Sequence, residues 1–205
     1  MFVTFEGIDG SGKTTLLQAL AKQRQETKIC LTREPGDSML GKRLRAIVLD
    51  AKTQLDARAE LFLFLADRAQ HVAELVRPAL ARGEIVFCDR YTDSTLAYQG
   101  AARGLDQETL LALNRLASHS LEPDLTFLLD LPVAMAQERM RQRKLEQEGR
   151  FDGYDASFHE AVRQGFLDLA KRFASRFHVL DASLPLKDLV SAADTVLSAR
   201  LGIDD

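Results

Sequence analysis

Eight residues near the amino terminus combine the groups needed to hold a phosphate chain and a divalent cation. Gly7-Ile8-Asp9-Gly10-Ser11-Gly12-Lys13-Thr14, with Thr15 next, follows the apolar run Phe2-Val3-Thr4-Phe5-Glu6 and precedes an alanine- and leucine-rich stretch from Leu16. Strand, glycine turn and helix in that order bring successive backbone N–H groups into one hollow at the positive end of the helix, where phosphate oxygens bind. Lys13 reaches the outer phosphates, and the Thr14 hydroxyl is placed to ligate Mg²⁺. A turn without a ligand would not need Lys and Thr after its last glycine.

Other residues could complete such a site. Asp89 ends the run Glu84-Ile85-Val86-Phe87-Cys88, a position from which a carboxylate holds Mg²⁺ in phosphate-loop proteins, although a strand-terminal Asp also closes turns. Arg90 beside it, Arg33 after the second apolar run and Arg45 on the helix behind could clamp a phosphate dianion through paired N–H groups; solvated surface arginines are the plain alternative. Phe64 and Arg68, spaced four apart, share one helix face. They offer either a flat apolar surface beside a hydrogen-bond fork or a core Phe with Arg at its rim. Gln99, in Tyr98-Gln99-Gly100, could meet an amide edge such as that of a base. Arg139, Arg141, Arg143, Lys144 and Arg150 punctuate a charged, glycine-containing stretch. It is either a salt-bridged helix end or a lid whose arginines neutralise a transferring phosphoryl group, an effect worth about 10³ to 10⁵ in rate. His71, His119, His159 and His178 form no metal-ligand spacing with the cysteines, and no nucleophile elbow surrounds Ser11.

These side chains need elements to place them. Short apolar runs at 2–6, 28–32, 84–89, 125–131 and 177–180 have strand character, unbroken rather than alternating in several cases, as in strands buried on both faces. Helical spacing occupies the intervals: from Leu16 to about Arg24, then 40–49, 56–81, from about Ser94, 107–120, 133–143, 156–176 and 186–201. Strands alternating with helices imply an α/β fold, a parallel sheet covered by helices on both faces with ligands at the carboxyl ends of its strands. The polar clusters fall at those ends, whereas 25–27 and 82–83 at the opposite edge carry ordinary solvated residues.

The composition bounds the partners. With 205 residues, 46% hydrophobic and 28% charged side chains, the chain suits one globular domain. A formal charge of −3 gives no general case for nucleic acid or anionic membranes, so phosphate recognition must come from grouped arginines. Cys30 and Cys88 both lie in apolar runs and read as buried free thiols of a reducing compartment. No leader pattern and no run of membrane-spanning length occurs, and a cytoplasmic protein is expected.

Taken together the clusters resemble thymidylate kinase over nearly the whole chain. The likeness rests on Phe5-Glu6-Gly7 with the glycine loop, Thr32-Arg33-Glu34-Pro35-Gly36, Ala66-Asp67-Arg68-Ala69-Gln70-His71, Cys88-Asp89-Arg90-Tyr91 with Ser94, Ala97-Tyr98-Gln99-Gly100, and Pro123-Asp124-Leu125-Thr126. It implies a P-loop nucleoside monophosphate kinase fold with a five-stranded parallel sheet, one domain over 1–205 and a lid at about 144–155. It also implies transfer of the γ-phosphoryl of ATP to dTMP with Mg²⁺, a step toward dTTP, by a homodimer. Phe64 would stack on thymine, Arg68 and Gln99 would bond its polar edge, and Tyr98 would crowd the sugar 2′ position, with Ser94 and Thr95 on the same side. Asp9 would approach the acceptor's sugar and phosphate. Arg33, Arg45 and Arg90 would hold that phosphate, with Glu34 and Pro35 nearby. Lys13, Thr14 and Asp89 would serve ATP and Mg²⁺, and Arg139 would lie against adenine beside Asp181 and Ala182. Lys13, Arg90, Arg143 and Arg150 would assist transfer, in the bacterial manner that uses a lid arginine. Asp37 stands where the family usually has a second glycine, Ser38 replaces a threonine, and Gly149 replaces an acidic or amide residue.

Two other readings remain open on sequence alone: a kinase of the same broad class acting on a nucleoside or another nucleoside monophosphate, and, in a different class, a nucleotide-dependent switch or regulatory binding protein. The chain lacks the N-K-x-D guanine-reading motif of GTPase switches.

Overall fold

The five apolar runs become five parallel strands. The computed structural model describes residues 1–50, 52–142 and 155–203. Within them β1 (Phe2–Glu6), β2 (Ile29–Arg33), β3 (Ile85–Asp89), β4 (Leu125–Asp130) and β5 (Phe177–Asp181) form one sheet in the order β2-β3-β1-β4-β5. Every neighbouring pair is parallel. All five residues of β1 are buried, as both faces of a parallel sheet must be when helices cross over it. Val3 and Phe5 join one core with Leu16, Phe127 and Phe166. Phe2 joins a second with Val72, Val76, Val86 and Tyr91. Thr4, polar within this apolar run, is satisfied by the Thr126 hydroxyl at 2.8 Å on β4.

The crossovers are α1 (Lys13–Gln23), α2 (Met39–Val48), α3 (Ala57–His71), α4 (Arg77–Ala81), α5 (Thr92–Thr95), α6 (Gln107–Ser118), α7 (Val133–Gln142) and α8 (Ala156–Arg172), and α9 (Leu186–Leu201) follows the last strand. The single helix expected over 56–81 is instead α3 joined to α4 through a π-helical turn, Val72–Val76. Pro78, in the first turn of α4, has no N–H to give the carbonyl four residues back. The ladder widens just before it, with the Arg77 N–H bonded to Val72 O. A second π-helical segment, Leu96–Ala102, continues α5 and carries Tyr98 and Gln99. Both cysteines are free thiols, but Cys30 is only half-buried because β2 is an edge strand.

Candidate active site

The glycine loop closes the space between β1 and α1. Gly7, Gly10 and Gly12 all have positive φ. At Gly7 a Cβ would also lie 2.6 Å from Leu129 O, so no other residue fits there. Lys13 is buried, its Nζ donating to Gly7 O at 3.1 Å and Ile8 O at 3.0 Å. Burial, then the neighbouring Arg90 charge, draws its ammonium down to about 8. The Ser11 hydroxyl is buried without a partner among the described residues. Thr14 Oγ1 donates to Asp89 Oδ2, so a hydroxyl and a carboxylate, both hard oxygen donors suited to Mg²⁺, meet at the end of β3. Among the described residues no group of three or more His, Cys, Asp or Glu gathers to hold a metal. Mg²⁺ at Thr14 and Asp89 would therefore complete its shell with water and phosphate oxygens.

A cleft of about 220 Å³ opens over this loop, and its other wall carries Arg33, Glu34, Arg45 and Arg90. Each guanidinium is held by a different device. Arg45 Nη1 donates to Pro35 O at 2.7 Å. Arg33 donates its Nε to Asp37 Oδ1 at 3.1 Å, and its two terminal nitrogens have no partner among the described residues. Arg90 is the most constrained, with Nη1 on Gly7 O and Ser94 Oγ at 3.1 Å each, and Nη2 on Asp9 Oδ1 at 2.7 Å and Tyr98 OH at 3.0 Å. Burial would raise the Asp9 carboxyl, but the Arg90 and Lys13 charges beside it hold it well below the usual carboxylate range.

Phe64, Arg68 and Gln99 lie on the Tyr98 side of this cleft, and the Tyr98 hydroxyl also donates to Asp9 Oδ2 at 3.0 Å. Arg68 is 2% exposed while Phe64 is half-buried against the main core. This is the reverse of a core Phe with Arg at its rim. Arg68 donates Nε to Glu34 Oε2 (2.8 Å), Nη1 to Thr95 Oγ1 (2.9 Å) and Asn114 Oδ1 (2.6 Å), and Nη2 to Tyr91 O (3.0 Å). Four of its five N–H groups are thus committed. Glu34 also meets His71 Nδ1 at 2.8 Å. Gln99 is buried and donates Nε2 to Glu60 at 2.9 Å.

Arg139 Nη2 donates to Ala182 O at 2.9 Å, which brings together Arg139 and the Asp181-Ala182 turn, two features that the family resemblance sets side by side. Arg141 forms an exposed ion pair with Glu138 at 2.5 Å, the salt-bridged helix end expected as one alternative. Arg143, Arg150 and the lid at 144–155, save Asp155, lie outside the described residues.

Sequence reasoning gave no role to Glu6, His71, Asn114 or Glu60, all buried polar anchors of this site. Glu6 carried one usable signal, a carboxylate ending an apolar strand directly before the glycine loop.

The family model described as Thymidylate kinase matches residues 5–193. The chain belongs to the thymidylate kinase family. Curated thymidylate kinases from Desulfovibrio desulfuricans and Solidesulfovibrio magneticus are 54% and 52% identical to it, covering 98% and 94% of this chain and 96% of each relative. The crystal structure of thymidylate kinase from Ehrlichia chaffeensis superimposes with a TM-score of 0.78 at 36% identity, over 96% of this chain and 98% of that one. The five-stranded parallel sheet with flanking helices is the fold of this kinase family, and membership makes the chain a phosphotransferase.

Proposed function

We propose that the chain transfers the γ-phosphoryl group of ATP to the 5′-phosphate of dTMP, giving dTDP and ADP, with the residues above in the following roles. The observation that carries the assignment is one cleft with two anion-holding walls, the glycine loop with Lys13 on one side and Arg33, Arg45 and Arg90 on the other. That is what a reaction between two phosphates requires. Lys13 and the loop N–H groups hold the donor phosphates, and Arg139 with the Asp181-Ala182 turn borders adenine. Thr14 and Asp89 would hold Mg²⁺, which would supply charge neutralisation at the donor phosphates. Arg33, Arg45 and Arg90 hold the acceptor phosphate, which is already an anion and needs no strong general base. Rate then comes from alignment and from charge neutralisation.

Phe64 offers its face to thymine, the one uncommitted N–H of Arg68, on Nη2, suits a single carbonyl of the base, and Gln99 meets its polar edge. Tyr98, fixed by Arg90 and Asp9, stands at the sugar. Arg150 acts from a lid at about 144–155, with Arg143 directly before it, within a single domain. Among the described residues no helix is long and apolar enough to cross a membrane, and two free thiols suit a cytoplasmic enzyme. α2 packs on α3 and α3 on α6, and they leave Met39 78%, Phe62 60% and Leu116 75% exposed, large apolar side chains of the kind a homodimer contact covers.

The test is ADP production from Mg·ATP with dTMP, dUMP, dCMP, dGMP, UMP or thymidine as sole acceptor. Turnover with dTMP well ahead of the others is expected. Slow hydrolysis indifferent to acceptor would reject the assignment in favour of a switch.

A further inference from the structure

Arg90 has φ +71, in the left-handed region that residues with a side chain seldom occupy. Two backbone bonds hold it there. Its own N–H donates to Phe5 O at 3.0 Å, and the next N–H, of Tyr91, donates to Glu6 Oε1 at 2.7 Å. The other oxygen of the same carboxylate accepts from Ser94 Oγ at 2.6 Å, and Ser94 Oγ accepts Arg90 Nη1 at 3.1 Å. One fully buried side chain therefore grips the chain just after Arg90 and, through a hydroxyl, its guanidinium. Both contacts ask Glu6 to accept, which is the chemistry of an ionised carboxylate.

We propose that Glu6 is a positioning residue for phosphoryl transfer, its ionised carboxylate holding the left-handed turn at Arg90 and locking the Arg90 guanidinium through Ser94. The inference deepens the assignment of Arg90 to the acceptor phosphate and rests on it.

The surroundings make this support depend on pH. Burial, then the charge of Asp93, lifts the Glu6 carboxyl to about 7, against the pull of Ser94, Arg90 and the Tyr91 N–H. Asp93 is itself buried and doubly bonded to Arg176 at 2.7 Å. Lys13 from α1, Arg68 from α3, Cys88 from β3 and Arg176 ahead of β5 also feel the Glu6 charge. Above about pH 7 the carboxylate accepts from both Tyr91 and Ser94. Below it a bound proton turns one oxygen into a donor, so the Ser94 proton loses its acceptor and the lock on Arg90 loosens.

The test compares wild type with Glu6→Gln and Glu6→Asp. Gln keeps an oxygen for the Tyr91 N–H and places an amide donor against Ser94. We would measure kcat and KM for dTMP from about pH 6 to about pH 9. Ionisation of the substrate phosphate is common to all three proteins and divides out of the ratio. The expected ratio of wild-type to Glu6→Gln kcat/KM is about tenfold or more at alkaline pH and shrinks toward unity as pH falls through about 7. Glu6→Asp should retain a pH-dependent ratio to Glu6→Gln. A ratio flat with pH would mean structural support alone and overturn the proposal. NMR of wild type, labelled at glutamate carboxyl carbons and arginine side-chain nitrogens, needs neither variant nor acceptor. The Arg90 signal should move with the Glu6 titration, and an Arg90 signal indifferent to it overturns the coupling. If wild type fails to phosphorylate dTMP, the functional assignment falls and the NMR result alone decides the coupling.

Discussion

Asp37 puts a carboxylate at the edge of an arginine-lined cleft, where it accepts from Arg33 Nε at 3.1 Å and Thr32 Oγ1 at 3.2 Å. Two effects oppose each other there. The ion pair orients Arg33, but both partners are partly exposed, and such pairs are worth only about 0.2–1 kcal/mol. Repulsion of a doubly charged phosphate acts in the other direction, and we predict that it is the larger effect. We predict that Asp37→Asn, which keeps an acceptor for Thr32, lowers KM for dTMP about two- to fivefold. A raised KM would show that orientation dominates. For the lid, Arg150→Ala should reduce kcat by about tenfold or more with little change in KM for dTMP, and an unchanged kcat would remove Arg150 from the mechanism. What the sequence disclosed at this scale followed locality. The glycine loop is contiguous, so its chemistry can be read directly. The Arg68 partners lie 34, 27 and 46 residues away, and no spacing announces that an arginine four residues after Phe64 will be the buried member of the pair.

At the scale of elements, the strand runs were legible to within a residue, because β1, β3 and β4, buried on both faces, are apolar almost throughout, and the half-exposed edge strands β2 and β5 still carry short apolar runs. The helices were less so. A continuous apolar periodicity concealed the π-helical turn at Val72–Val76, although Pro78 was visible and a proline inside a helix demands some adjustment of the ladder. The junction of α2 with α3 is equally silent in sequence. Ser38 caps α2 by accepting the Gly41 N–H at 2.8 Å, and Asp67 Oδ1 accepts the Gly36 N–H at 3.2 Å. Burial, then the charge of Glu34, lifts the Asp67 carboxyl to about 6. A Cβ on Gly41 would overlap both the Asp67 carboxylate and the Ser38 hydroxyl. Gly41→Ala should therefore destabilise the fold by about 1–3 kcal/mol, despite the better helix propensity of alanine. Thermal melting checks this, and an unchanged or raised Tm would mean the loop yields without cost.

For the whole molecule, the parallel class was readable from the alternation of strands and helices, whereas the order β2-β3-β1-β4-β5 depends on long-range pairing that composition and periodicity do not encode. That order sets β1 and β3 side by side, which is why the glycine loop and Asp89 share one edge. Association is the property at this scale most open to test. Phe62 is 60% exposed on α3, an arrangement explained if a second copy covers it. Sedimentation should give twice the mass of one chain for wild type and a shift toward the single-chain mass for Phe62→Glu, since an interface of this kind cannot bury an unpaired charge cheaply. A wild-type protein that sediments as one chain would contradict the dimer.

The transfer proposed across this cleft, from the terminal phosphoryl of one phosphate chain to another, can be followed by the fate of a single label. ATP radiolabelled at the γ-phosphate would be incubated with Mg²⁺, dTMP and the wild-type protein. Label should appear in dTDP in step with ADP, and Arg90→Ala should lose most of that product. Label released only as inorganic phosphate, at a rate indifferent to dTMP, would contradict transfer between the two walls.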